Sequence, residues 1–493
     1  MIVEKTNSYQ KILKSTSIFG GVQVFNIFIS LLRSKFIALL LGPSGLGIVS
    51  LLTTTLGLIT GITNFGLGIS AVKSIAAASN TGNKQKLGKT VTVFKRLVWL
   101  TGGLGFVLTL LLATFLSEIA FSNKAYTISF ALISVSLLFT QISVGQNAIL
   151  QGMRKIKSMA KANVLSAFVG LIISVPFYFF LAEKGIVPAI ILTSLSTLLI
   201  SFFFSSKVKI PKETIDKMTF KTEGKEMLKM GFLISLSSLI TIGASYVLRI
   251  YISHTGGLKD VGLFTAGFAI IGTYAGMVFT AMGTDYFPRL ATVAHDNLKC
   301  QQEINQQAEI AILILAPILI FLLVFIKWGI VILYTFQFRS ITSMIHWATL
   351  GIFFQALSWS LGYVLLAKGA SRTFFWNEVV SNIYLLGLNV LGYHYFGLTG
   401  LGVSYLLAYF LHFIQMLIVC KKLYRIQLDK TVWQMFTFQF VIAAFCFIEG
   451  YFLPKVLAYL IGCSLIVIST IYSWKELNKR VPLKKAIFEK IRI

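Results

Sequence analysis

Residues 31–48 read LLRSKFIALLLGPSGLGI, an apolar run that turns at Gly42-Pro43 and continues into a second apolar run. Residues 247–263 read VLRIYISHTGGLKDVGL, and another long apolar segment follows them. Both stretches place an arginine several residues before the turn and a glycine at the start of the next segment. A pattern that occurs twice at a wide interval predicts an internal repeat.

The repeat extends through six apolar segments in each copy. Asn163 and Gly185 flank the fifth segment, and Asn377 and Gly400 flank the eleventh at nearly the same spacing. Because six is even, both copies enter the membrane in one orientation, as in parallel repeats about an axis along the membrane normal. This predicts two parallel six-helix lobes around a central cavity, plus two extra C-terminal helices.

The predicted divisions of the chain follow from the repeat and from its charged connections. They are an N-terminal lobe at 1–206, a basic cytoplasmic linker at 207–229, a C-terminal lobe at 230–422, and helices 13 and 14 with a basic tail at 423–493.

The composition excludes a soluble protein. Of the 493 residues, 56% are hydrophobic and 12% are charged, whereas soluble domains average about 25% charged residues. The mean hydropathy is +0.81. We count fourteen apolar segments, most of them close to the roughly 20 residues that a membrane helix needs. The predicted fold class is an all-α polytopic membrane protein with about fourteen transmembrane helices.

The net charge of +27 reflects membrane topology rather than nucleic-acid binding. Of the 44 basic residues, 32 fall in the tails and in alternate loops, whereas six fall in the opposite loops. Lys and Arg accumulate in cytoplasmic loops. We therefore predict a multi-pass protein of the bacterial inner membrane with both termini in the cytoplasm.

Three cations inside predicted helices are candidate substrate-binding residues: Arg249, Lys35 and Arg33. A charge at the bilayer centre costs roughly 2.5–3.5 kcal/mol on insertion scales, so such residues usually face a water-filled cavity. Snorkelling to the headgroups is the alternative. Since Arg33 and Lys35 are two residues apart, at most one of them points straight into a cavity. A lumen with several cations and few carboxylates favours an anion, and arginine pairs well with phosphate.

Glu378, His346 and His412 are candidate coupling residues, because they are the groups best suited to exchange protons within helices. For Glu378, a local salt bridge to Arg372 or a favourable charge at a helix N-terminus remains the alternative. No metal-ligand spacing, nucleotide-binding loop or catalytic constellation occurs in the sequence. We predict neither a cofactor nor catalytic residues.

Several short motifs, in their order and spacing, resemble the multidrug/oligosaccharidyl-lipid/polysaccharide exporter superfamily, and within it the Wzx-type O-antigen and lipid III flippases. The motifs are Lys35 followed by Gly42-Pro43-Ser44-Gly45-Leu46-Gly47, Arg249 followed by Val261-Gly262, Phe287-Pro288-Arg289-Leu290, Gly362-Tyr363, Ala367-Lys368, Arg372 and Glu378. Some relatives place a carboxylate where this chain has Gly272, so the resemblance does not carry a coupling mechanism with it.

The resemblance implies a flippase for undecaprenyl-pyrophosphate-linked oligosaccharide, moving it from the inner to the outer leaflet. Arg249 and Lys35 would then contact the pyrophosphate. It also implies membrane lipids as partners, together with a polysaccharide polymerase and a chain-length regulator of O-antigen synthesis.

Two other functions remain open. A cation-coupled multidrug exporter of the same fold would need a buried carboxylate in one lobe, and the sequence offers no clear candidate. A membrane-embedded oligosaccharide ligase or polymerase would need a large outer loop, and none of the predicted outer loops forms a domain.

Overall fold

The computed structural model describes residues 2–211 and 213–480, without the side chains of residues 2–24, 233–234, 274–275, 277–278 and 280–284. Every regular element of this described part is a helix, and the described residues contain no β-strand. Its α-helices are α1 (Ile2–Asn64), α2 (Leu67–Asn80), α3 (Lys84–Leu111), α4 (Ala113–Phe121), α5 (Thr127–Gly152), α6 (Ile156–Leu181), α7 (Ile186–Ser206), α8 (Lys217–Thr292), α9 (Asn297–Leu333), α10 (Thr342–Ala367), α11 (Ser371–Tyr424), α12 (Lys430–Phe452) and α13 (Lys455–Arg480). Short 3-10 helices at Ala182–Gly185 and Phe336–Ile341 complete the order.

Ten stretches of the described residues are long and apolar enough to cross a membrane. Four of them, of 39 to 54 residues, each overlap two of the predicted segments: Phe25–Asn64, Ile156–Ser206, Ser235–Thr273 and Ser371–Tyr424. Ten stretches therefore accommodate fourteen crossings. The predicted all-α, polytopic fold class is confirmed.

The longest helices are interrupted by glycines in the left-handed region of backbone space. The interruptions are Gly42 in α1 (φ 65°), Gly257 in α8 (φ 79°) and Gly397 in α11 (φ 57°). Glycine adopts this conformation without the Cβ clash that other residues suffer. A straight helix of 63 residues would be about 95 Å long, three times the ~30 Å hydrocarbon core. The interruptions let one continuous helical stretch supply two crossings.

The interruptions recur at the interval of the sequence repeat. Gly42 and Gly257 are 215 residues apart, and so are Ala182 and Gly397. Ala182 has φ 48° and ψ −130°, close to the 57° and −141° of Gly397. The backbone therefore repeats its turn geometry with the spacing of the sequence motif.

The chain forms two compact units, Met1–Gly262 and Leu263–Ile493. The core of the first contains Phe94, Ile149 and Met227. The second has a cluster of aromatic rings that includes Phe354 and Phe440, 5.2 Å apart.

The predicted lobe boundaries stay a prediction. Helix α8 begins at Lys217, inside the predicted basic linker. The basic tail beyond Arg480 lies outside the described residues.

Candidate functional site

The first repeat motif and its copy pack directly against each other within Met1–Gly262. A Cβ atom on Gly47 would lie 2.0 Å from the carbonyl oxygen of Leu258, and one on Gly262 would lie 1.8 Å from that of Pro43. Leu258 is also 215 residues after Pro43, so the two contacts are equivalent under the repeat. The paired glycines allow α1 and α8 to cross at backbone contact just beyond their interruptions.

Arg249 lies close to this crossing and joins the two helices. Its Nε donates to the buried hydroxyl of Ser50 in α1 at 3.1 Å. Its Nη1 donates to the carbonyl oxygen of Ser245 at 3.1 Å and also to the Ser245 hydroxyl. These bonds fix the plane of the guanidinium group on the α1–α8 crossing. Arginine in a fixed orientation can pair bidentately with a phosphate.

Arg33 and Lys35 lie on α1, on the other side of the Gly42 interruption from Ser50. Both are half-buried. The Nε of Arg33 is buried and has no hydrogen-bond partner among the described residues. Arg33, Lys35 and Arg249 precede their interruptions by nine, seven and eight residues. At 1.5 Å per residue, all three cations lie roughly 10–14 Å along the helix from an interruption.

The chemistry around Arg33 favours an anion. A buried N–H without an acceptor costs roughly 1–3 kcal/mol, and more when the group is charged. The described residues place no carboxylate in an ion pair with Arg33. An anionic ligand would satisfy Arg33 and balance its charge. We refer to Arg33, Lys35 and Arg249 as the cationic group.

Two of the three coupling candidates are close together in α11. Nδ2 of Asn377, the residue before Glu378, lies 3.5 Å from Nε2 of His412. Nε2 of Gln415 donates to Oδ1 of Asn377 at 2.6 Å. The Nδ1 of His412 is buried and has no partner in the described part of the chain. Asn377 therefore places His412 beside the turn of α11 that carries Glu378.

Glu378 is half-buried and Arg372 is exposed. None of the ion pairs among the described residues includes Glu378, so the alternative of a salt bridge to Arg372 is not realised. The backbone carbonyl of Glu378 accepts from Ser381 and Asn382, within the first turns of α11.

His346 is not part of the Glu378–His412 cluster. It is 6% exposed and lines a cavity that is also lined by Glu449, which is 4% exposed. Sequence reasoning missed Glu449, which lies in α12, outside both predicted lobes. The signal was present, since Glu449 is an acidic residue inside an otherwise apolar segment, and such residues are usually functional.

Solved structures share the fold at low sequence identity. Over 94% of this chain and 99% of the other, the protein superposes on the lipid II flippase MurJ in an inward closed conformation, with a TM-score of 0.68 and 12% identity. A second match is a multidrug resistance MATE family transporter of the MOP superfamily in an inward-facing conformation. The superposition covers 81% of this chain and 96% of the transporter, with a TM-score of 0.66 and 17% identity. A MOP superfamily transporter from Pyrococcus furiosus covers 83% of this chain over 96% of its own length, with a TM-score of 0.59 and 17% identity.

No curated protein sequence matches the chain significantly. The family model described as "Polysaccharide biosynthesis protein" matches residues 12–294, which is more than half of the chain. The match includes both repeat motifs and the whole cationic group. The chain is therefore a polytopic membrane protein with the fold of MOP superfamily transporters, and it belongs to the polysaccharide biosynthesis protein family.

Proposed function

We propose that this protein is a flippase that moves polyprenyl-pyrophosphate-linked oligosaccharide from the cytoplasmic to the periplasmic leaflet by alternating access. The substrate is an O-antigen-like repeat unit on undecaprenyl pyrophosphate. The protein would act in the bacterial inner membrane, with both of its termini in the cytoplasm. A polysaccharide polymerase and a chain-length regulator would act on the product after it has crossed.

The observation that carries the proposal is the unsatisfied Nε of Arg33 within a membrane helix. A cation in this setting is costly unless it faces water or meets a counter-charge. A pyrophosphate supplies several acceptor oxygens and about two negative charges. Arg249, already oriented by Ser50 and Ser245, and Lys35 would bind the same headgroup. The polyprenyl tail would stay in lipid.

Substitution of the cationic group tests the proposal in proteoliposomes that contain a fluorescent lipid-linked oligosaccharide. Arg249→Ala removes hydrogen bonds of a charged group, each worth roughly 1.5–3 kcal/mol. We therefore expect a loss of at least about tenfold in flipping rate. Arg249→Lys should recover part of the rate, because it keeps the charge but loses the planar fork. Arg33→Ala should also lower the rate.

Arg96→Ala is the matched control, because Arg96 is an exposed arginine on a membrane helix outside the cationic group. It should flip at the wild-type rate. Normal flipping by a well-folded Arg249→Glu variant would contradict the anion-binding role and favour snorkelling instead.

A cation-coupled multidrug exporter is the second candidate, and the half-buried Glu378, which lies in the predicted C-terminal lobe, favours it. Such an exporter would exchange protons or sodium ions for a cationic drug at a carboxylate. Drug accumulation in cells distinguishes the two functions, since Glu378→Gln would abolish drug efflux without affecting surface polysaccharide.

A further inference from the structure

A cavity of about 590 Å³ lies wholly within Leu263–Ile493. It is formed where α9 and α12 end and where α10 and α13 begin. The helices α12 and α13 are the two that stand outside the two six-helix copies of the repeat. The charge distribution predicts that this end of the four helices faces the periplasm. The volume is in the range of small-molecule sites.

The floor of the cavity presents two hydrogen-bond acceptors without donors. The Oε2 of Glu449 and the Nε2 of His346 are both buried and have no partner among the described residues. In the tautomer that carries its hydrogen on Nδ1, the unpartnered Nε2 of His346 has no hydrogen. The Nε2 of a neutral imidazole is then an acceptor. The floor therefore requires a ligand that donates hydrogen bonds, and a cationic donor would also balance the carboxylate.

The rim has the opposite charge. Lys327, Arg339 and Lys455 line the cavity and are exposed. None of them forms an ion pair in the part of the chain that the structure describes. Trp328 also lines the cavity and donates from Nε1 to the hydroxyl of Tyr459 at 2.9 Å. Tryptophan and tyrosine are enriched at the depth of the lipid headgroups.

Floor and rim are separated along the helices. Arg339 precedes His346 by seven residues, and Lys455 follows Glu449 by six across the end of α12. At 1.5 Å per residue, the acceptors lie roughly 5–10 Å deeper than the backbone of the cations. A simple anion would be repelled by the carboxylate floor, and a simple cation by the three rim charges. A neutral sugar would leave Glu449 without a counter-charge.

We propose that this cavity binds a zwitterionic aminophosphate headgroup, that of phosphatidylethanolamine in the outer leaflet. The ammonium group would donate to Glu449 and His346, and the phosphate would contact Lys327, Arg339 and Lys455. The acyl chains would remain in the surrounding bilayer. This site is separate from the cationic group of Met1–Gly262 and does not depend on which lipid the protein flips.

Lipid binding to the delipidated full-length protein, counted by native mass spectrometry, tests the proposal. Phosphatidylethanolamine should bind at least about tenfold more tightly than either of two other lipids. Phosphatidylcholine has no N–H donor, and phosphatidylglycerol has no amine. Glu449→Gln should abolish the preference for the amine. Lys455 is exposed, so its substitution does not endanger folding. Lys455→Gln should weaken the binding of phosphatidylethanolamine and of phosphatidylglycerol alike. Glu118→Gln is the matched control, since Glu118 pairs with Lys124 in the other unit.

The tryptophan fluorescence of Trp328 locates the ligand, because Trp328→Phe should remove a binding-induced signal without removing the binding. Equal affinity for the three lipids, or an amine preference that survives in Glu449→Gln, would overturn the proposal. Absence of lipid binding would do the same. If soluble phosphoethanolamine bound as tightly as the lipid, a free metabolite would replace the lipid as the occupant.

Discussion

An alanine at Gly262 tests how closely the two copies of the repeat motif must approach. The new Cβ would lie 1.8 Å from the Pro43 carbonyl oxygen and 2.8 Å from its carbonyl carbon. Ordinary contacts of this kind are near 3.5 Å, so the helices would have to separate by about 1.7 Å. Overpacking typically costs about 1–3 kcal/mol. Because the obstacle is backbone next to an interruption rather than a flexible side chain, we expect the upper end, near 3 kcal/mol.

A loss of about 3 kcal/mol lowers the ratio of folded to unfolded protein by a little more than a hundredfold. Reversible unfolding in mixed micelles, followed by circular dichroism, measures this change in the free energy of unfolding. Gly47→Ala should behave similarly, since its Cβ would lie 2.0 Å from the Leu258 carbonyl oxygen. Gly243→Ala is the control on the same helix, because a Cβ there meets nothing within 4 Å. Alanine should stabilise that position by about 0.5–1 kcal/mol.

Gly262→Ala should also impair transport in the molecules that remain folded. Separation of α1 from α8 stretches the 3.1 Å bond between Arg249 and Ser50, so the guanidinium group loses its fixed orientation. Equal stability of Gly262→Ala and Gly243→Ala would refute the reasoning. It would mean that the two motifs do not touch at their backbones in the folded protein.

Two further predictions concern topology and energy. Lys217→Cys, in an otherwise cysteine-free chain, should react with a membrane-impermeant thiol reagent only from the cytoplasm, because 32 of the 44 basic residues lie on that predicted side; reaction from the periplasm would reverse the orientation. Collapse of the membrane potential at constant pH gradient should slow flipping in proteoliposomes. If loss of the pH gradient alone stopped flipping and the potential had no effect, proton exchange through Glu378, His412 or His346 would replace this account.

The membrane character, the helical segments and the repeat could all be predicted from the sequence. They depend on properties that are local or periodic: apolar length, alternating loop charge, and glycines at a constant interval. Gly42 was visible as a turn residue because it precedes Pro43 and because few other residues fit the left-handed region. The continuity of α1, α8 and α11 through their glycines was not visible, since an interrupted helix and a helical hairpin have the same hydropathy.

Contacts between distant segments could not be predicted from the sequence. Arg249 and Ser50 are 199 residues apart, and nothing in either segment marks the other as its partner. His412 and Asn377 are likewise separated by 35 residues in the chain, and neither marks the other as its partner. Glu449 was overlooked within an apolar segment, although a carboxylate in such a segment is itself a signal of function. A single sequence shows which charges are expensive, but it does not show which of them share a cavity.

The fixed cations and the direction of transport are connected through the charge of the ligand. The potential acts on every charge that moves through it, including those on the protein, but the protein returns to its starting conformation in each cycle. Over a full cycle only the ligand has crossed. For two negative charges leaving a cell at −100 mV, this supplies about 4–5 kcal/mol. The cationic group therefore does not set the driving force. In the proposed mechanism it lowers the barrier, because a pyrophosphate paired with Arg249 and with one of Arg33 and Lys35 would cross without its full desolvation cost. Removal of one of these cations should slow flipping while leaving its dependence on the potential unchanged.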